Sequence, residues 1–161
     1  MTAIGLLALR LTAAISLIAH GSHQLFGAFA GPGVGVGGLS ATAARFAALG
    51  LDPGYPLAVV AGGLQLLAGG LIAIGLLTRW ASLAVIVYLV FVAWKDQLRW
   101  GFFLNWTLDP MRGQGVEHSV VLGGALLCLV LAGAGDFSID GRRAKVAAAR
   151  ASGRARLRTR H

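Results

Sequence analysis

The sequence predicts an all-α protein: a four-transmembrane-helix bundle with a short interfacial helix and a basic cytoplasmic tail. Three observations predict it. Of 161 residues, 57% are hydrophobic and only 12% charged, where a soluble domain carries about a quarter. The apolar residues gather in four runs, each near the roughly 20 residues that a bilayer-crossing helix needs. The charge is segregated from those runs, and no strand alternation or internal repeat interrupts them. With a mean hydropathy of +0.74, the chain has too few polar side chains to clothe a water-exposed surface. That excludes a soluble globular enzyme and a disordered protein. A single cysteine, Cys128, excludes a disulfide scaffold, a CxxC redox pair and a cysteine-based zinc site. Any redox chemistry then requires a bound cofactor, a small substrate or a partner.

The spans are expected at about residues 3–26, 56–77, 80–98 and 116–134. The first is interrupted by Arg10 and by the group His20, Ser22, His23, Gln24. Because no basic residue precedes this run and Arg10 breaks it, it reads as a retained helix and not a signal peptide. The second is the cleanest, with Gln65 its one strongly polar residue. The third is uncharged from Trp80 to Trp94 and continues to about Leu98, with Lys95 snorkelling outward. The fourth carries Glu117 and His118 in its first turn. Between the first two spans, residues 27–38 form a Gly-rich connector, and residues 40–49, with Ser40 as cap, suit an interfacial helix. The second long loop, Arg99–Gly115, is aromatic and suits the lipid headgroups. Trp80, Trp94, Trp100 and Trp106 fall near span ends, as an aromatic belt does.

The net charge of +8 divides unevenly. Residues 1–135 carry six basic and four acidic residues; residues 136–161 carry eight basic and two acidic. The domain therefore spans residues 1–140, and residues 141–161 form a basic tail expected to lack regular structure. The positive-inside rule keeps that tail and Arg79 cytoplasmic, so both termini lie inside and residues 27–55 and 99–115 outside. Attraction to anionic lipid, about 1 kcal/mol per basic residue, accounts for the tail more simply than nucleic-acid binding.

Ionisable groups inside a bilayer cost a few kcal/mol and are functional candidates. Arg10, about 10 Å deep by helical rise, either snorkels to the interface or is buried against an anionic or carbonyl group. In a regular helix it lies within about 40° of Gln24 around the axis. His20 and His23 are helical neighbours, as a metal or haem pair would be, although hydrogen-bonded interfacial histidines are the commoner case. Glu117 and His118 are adjacent, hence about 100° apart, and are not expected to serve one site. Residues 58, 62, 65, 69 and 73 put Gln65 on a face of small residues that turns into the bundle. There it makes either an interhelical hydrogen bond or a ligand contact. Arg10, His20, His23, Gln24, Gln65, Glu117 and His118 are the candidate binding residues, with no metal site. Glu117 is the expected proton acceptor of a pocket open to the outer leaflet. Cys128, deep in the fourth span, is expected to be buried packing. Gly33, Gly35 and Gly38 match G-x-G-x-x-G by letters, without the strand, helix and acid of a dinucleotide fold.

Four stretches resemble the DoxX family of membrane proteins. They are Arg10 followed by His20-Gly21-Ser22-His23-Gln24-Leu25-Phe26-Gly27; Ala44–Gly50; Gly62 to Arg79; and Gly115-Val116-Glu117 with Gly133–Asp140. Together they cover about residues 4–141. The resemblance implies a four-helix bundle, and Arg10, His20 and Glu117 fall on polar positions of the family. Gln24 stands where the family usually has Lys, and Gln65 where it usually has Glu, so a Lys–Glu pair becomes a neutral Gln–Gln pair. Members are linked to membrane oxidoreductase assemblies, including the small subunit of a thiosulfate:quinone oxidoreductase. The resemblance thus implies a subunit or accessory protein of an oxidoreductase system in a bacterial cytoplasmic membrane. It implies a quinone or small amphipathic molecule in the pocket, without an intrinsic cofactor or autonomous catalysis. The expected partners are the lipid bilayer, redox-enzyme subunits and further copies of the chain. A small-solute transporter and a non-catalytic assembly factor are the alternatives.

Overall fold

The apolar runs become helices because a chain removed from water must satisfy its backbone polar groups internally. The computed structural model describes residues 2–31, 35–109 and 111–158, with the side chains of Thr2 and residues 153–158 outside that description. The helices are α1 (Thr2–Phe26), α2 (Gly38–Ala48), α3 (Gly54–Ile74), α4 (Thr78–Val92), α5 (Glu117–Ala132) and α6 (Ile139–Arg158). α4 continues through a π-helical turn, Ala93–Gln97, and a 3-10 turn, Leu98–Trp100. Three helical segments are long and apolar enough to cross a membrane: Ala3–Phe26, Gly54–Ile74 and Thr78–Trp100. α5, the expected fourth span, is an apolar helix of 16 residues, about 24 Å long.

The core follows the small-residue pattern of α3. Its buried face includes Ala58, Ala61, Gly62, Gln65, Ala68, Gly69 and Ile72; the spacing places 58, 62, 65 and 69 there, while Ala73 is half-buried and Ile72 takes the inward position. This face brings α1 into backbone contact. A Cβ on Gly21 would lie 2.7 Å from the Leu66 nitrogen and 2.8 Å from the Gly62 oxygen. Small residues let helices pack this closely without hydrophobic drive from water. Leu17, Ile72, Val85, Leu126 and Leu129 fill the centre between α1, α3, α4 and α5.

Arg10 ties one end of the bundle together. It is 2% exposed and does not snorkel. Nη1 donates to the Ala134 carbonyl at 2.6 Å, and Nη2 donates to those of Phe137 at 2.7 Å and Ala73 at 3.3 Å. Asp140 completes the knot. Its carboxylate accepts the Leu77 and Thr78 N–H groups at 3.1 and 3.0 Å, capping α4, and its own N–H donates to the Gly75 carbonyl. Gly75 is left-handed, with φ 70°, and a side chain there would meet Arg10 Nη1 at 2.8 Å. Arg79 Nη2 donates to the Leu131 carbonyl near the end of α5.

Four expectations change. The basic segment is helical, as α6, where no regular structure was expected; Asp140 lies in its first turn and anchors that turn to the bundle. α2 starts two residues before Ser40, without a side-chain cap, and packs on α1 and α3 through Phe46. Cys128 is exposed on the outer face of α5, because Leu122, Leu126 and Leu129 take the inward positions. The second span ends near Ile74, not Leu77, because Gly75 breaks it. Gly33, Arg160, and the side chains of Arg154, Arg156 and Arg158 lie outside the described residues.

Arg10→Leu strips the charged donor from three carbonyls and is expected to cost about 2–4 kcal/mol. Thermal unfolding in detergent checks this, with Arg10→Lys expected to fall between Leu and wild type. A wild-type melting temperature for Arg10→Leu removes the knot from the account.

Candidate functional site

The opposite end of the bundle is built differently. There α1 ends, α4 widens into its π-turn and α5 begins, enclosing a cavity of about 620 Å³. His20, His23, Gln24, Gln65 and His118 all line it. α2 closes one side with Thr42, Arg45 and Phe46, and the widened end of α4 supplies Tyr88, Phe91, Val92 and Asp96.

The floor is a neutral hydrogen-bonding cluster. Gln65 is 4% exposed. Its Nε2 donates to the Ala61 carbonyl and to Tyr88 Oη, both at 3.3 Å, so the backbone bond orients the amide. Gln24 Nε2 donates to the same Oη at 3.5 Å. A phenol oxygen has two lone pairs and one proton. With both lone pairs facing amides, the Tyr88 proton is free for another acceptor. Gln24 Oε1 and His118 Nε2 are buried without a hydrogen-bond partner. The rings of His20 and His118 lie 4.8 Å apart between centroids. His23 Nδ1 instead bonds the Ala28 carbonyl at 2.9 Å, steadying the turn after α1.

The mouth is charged. Asp96, on the π-turn, is 5% exposed. Arg45 of α2 donates to its Oδ2 through Nε and Nη2. Arg99 donates through Nη2 to Oδ1 at 2.9 Å and through Nε to the Asp96 carbonyl at 3.2 Å. Ser119 Oγ donates to Gln97 Oε1 at 2.7 Å, joining α5 to the same turn. π-turns inside helices frequently accompany functional sites.

Two candidates fall elsewhere. Arg10 belongs to the knot at the other end. Glu117 does not line the cavity: its Oε2 accepts the Leu104 N–H at 3.1 Å, and its own N–H donates to the Phe102 carbonyl at 2.8 Å. Among the described residues, the acid that lines the cavity is Asp96, and two arginines hold its carboxylate. The adjacency argument holds, since only His118 of the pair turns inward. Among the described residues, no three His, Cys, Asp or Glu side chains are grouped to hold a metal ion.

Tyr88, Arg45 and Asp96 escaped the reading of the sequence. Asp96 had a signal, being an acid inside a predicted span, overshadowed by Lys95 beside it. Tyr88 also had one. It lies eight residues before Asp96, about 80° around the axis, and far from either span end. Arg45 had none, because its partner lies 51 positions away.

Three membrane-crossing helices packed with a fourth apolar helix around a polar cavity define a polytopic α-helical membrane protein. A family model described as DoxX matches residues 5–96, and the chain belongs to the DoxX family. The match takes in α1 to the π-turn, hence Arg45, Gln65, Tyr88 and Asp96, and stops short of His118. Curated proteins and solved structures give no match.

Glu117→Ala is expected to release the Leu104 N–H and raise its amide exchange on the order of tenfold, the worth of one charge-assisted hydrogen bond. Exchange at Gln65 and Tyr88 should stay as in wild type. Equal acceleration at all three positions would return Glu117 to the cavity.

Proposed function

We propose that this chain is a subunit or accessory protein of an oxidoreductase system in the cytoplasmic membrane, and that its cavity holds a quinone or a similar amphipathic molecule. The observation that carries this reading is the unspent hydrogen-bonding capacity of the floor. Tyr88 keeps a proton to donate, and Gln24 Oε1 and His118 Nε2 are buried without partners. Buried polar atoms are rarely left unpaired, so an oxygen-bearing head group from a ligand fits them. Tyr88 and His118 would hold the carbonyl oxygens, and Gln24 Oε1 suits a hydroxyl. Phe91, Val92 and Leu122 supply an apolar wall for the rest of the molecule. A bound quinone would supply the redox chemistry; the residues of this chain bind it and limit its access to water.

The membrane arrangement belongs to the same proposal. α5 acts as a fourth span, its 16 residues extended by the flanking Val116 and Gly133-Ala134. Both termini then lie on one side. Arg79 and the basic face of α6, including Arg142, Arg143 and Lys145, gather at the knot end, which the positive-inside rule makes cytoplasmic. A periplasm-dependent reporter fused after His161 is expected to be silent.

The test of the ligand is equilibrium binding of a short-tailed quinone to protein purified in mild detergent. Tyr88→Phe is expected to weaken binding about tenfold, one hydrogen bond's worth, and His118→Leu by a similar factor. Wild-type protein that neither binds quinone nor co-purifies with a redox subunit would sink the reading.

A further inference from the structure

The mouth of the cavity has a second kind of unspent capacity. Among the described residues Asp96 is the one acid lining the cavity, and its carboxylate is shared by Arg45, which also lines it, and Arg99 just outside. Lys95 lies beside it, so the mouth holds three cations against one anion. The side chains of Arg45 and Arg99 remain 59% and 56% exposed, while that of Asp96 is 6% exposed. Each arginine uses Nε and Nη2 inward, and among the described residues neither Nη1 makes a hydrogen bond. A buried carboxylate thus holds two guanidinium groups in place, each with one donor edge left over.

The surroundings indicate depth. Lys95 Nζ sits 4.3 Å from the centre of the Trp94 ring, and the Arg99 guanidinium 4.9 Å from that of Trp100. Tryptophan at span ends marks the headgroup layer. From the mouth, Phe91, Val92 and Leu104 lead inward along the cavity wall.

We propose that Arg45 and Arg99, organised by Asp96, bind the phosphate of an acidic phospholipid, with one acyl chain entering the cavity past Phe91 and Val92. This rests on the reading of the cavity as a site for amphipathic molecules and adds a headgroup site at its mouth. A phosphate diester has the acceptor oxygens to take a donor from each arginine at once. Low-dielectric walls concentrate the field of the net positive mouth. The apolar wall favours a lipid over free phosphate, since a chain gains burial there that an ion cannot.

The experiment is native mass spectrometry of the full chain released from vesicles of equal phosphatidylglycerol and phosphatidylcholine. Wild type is expected to retain phosphatidylglycerol over phosphatidylcholine on the order of tenfold. Removing the arginines alone would strand a buried carboxylate and threaten the fold. The test variant is therefore Arg45→Gln/Asp96→Asn/Arg99→Gln, which should bring the two lipids to parity. Arg45→Lys/Arg99→Lys, which keeps charge but removes the paired donor edges, should lose most of the selectivity. Parity in wild type, or selectivity that survives the triple variant, overturns the proposal. Displacement of the lipid by millimolar inorganic phosphate would transfer the site to a free anion and overturn the lipid assignment. Quinone binding measured on the wild-type protein separates the two readings: phosphatidylglycerol selectivity without quinone binding strikes the proposed function and not the headgroup site.

Discussion

The bundle depends on one buried guanidinium. A cation placed roughly two turns into an apolar helix must reach the interface or find oxygen within the protein. Arg10 finds oxygen, and the oxygens come from three places: the end of α3, the second residue beyond α5, and the turn into α6. Helix ends leave carbonyls without intrahelical partners. One side chain here engages a carbonyl at one such end, that of Ala73 in α3, and two more in the loop between α5 and α6. The positions of α3 and α5 relative to α1 follow from that exchange. So does the tight turn between α3 and α4, where Gly75 leaves room for the guanidinium.

The two ends of the molecule solve the same problem in opposite ways. At the Arg10 end, the guanidinium meets carbonyls and Asp140 the first N–H groups of α4, while Arg10 Nε and Thr78 Oγ1 stay without partners in tightly packed surroundings. At the cavity end, several groups are left open. Tyr88 has a spare proton, and Gln24 and His118 have unpartnered atoms. Holding polar groups unsatisfied in a low-dielectric setting is costly. What sets the cavity end apart is that Gln24 and His118, with their unpartnered atoms, line an open space.

Much of this was legible in the sequence, and for identifiable reasons. Composition and run length gave the helices, since both follow from the solvent that the chain meets. The small residues at 58, 62 and 69 placed Gln65 inward, because helical periodicity is a local property. The split of Glu117 from His118 followed from the same geometry. What failed was non-local. Arg10 and Gln24 share a helix face, yet they serve opposite ends, because the length of α1 separates them. Glu117 was taken for a cavity acid because nothing local signals that the loop at Leu104 folds back to meet it. Tyr88 and Asp96 needed the packing of α4 against α3 and α5, and the placement of α2, before their neighbours could be known.

The departures at Gln24 and Gln65 have a shared physical sense. The resemblance places Lys and Glu at these two positions, on different helices, with no sequence reason for both to lose charge together. In the folded chain both amides reach one atom, Tyr88 Oη. Replacing one charge alone would leave the other unpaired in a buried site, the costly case for an ion pair. Replacing both leaves a neutral floor whose shared hydroxyl is the common acceptor. A neutral floor also changes what the cavity can do. It offers hydrogen bonds without a carboxylate at Gln65. In this chain the charged groups lie at the mouth, on Asp96 and the two arginines, and the floor carries neutral hydrogen-bonding groups.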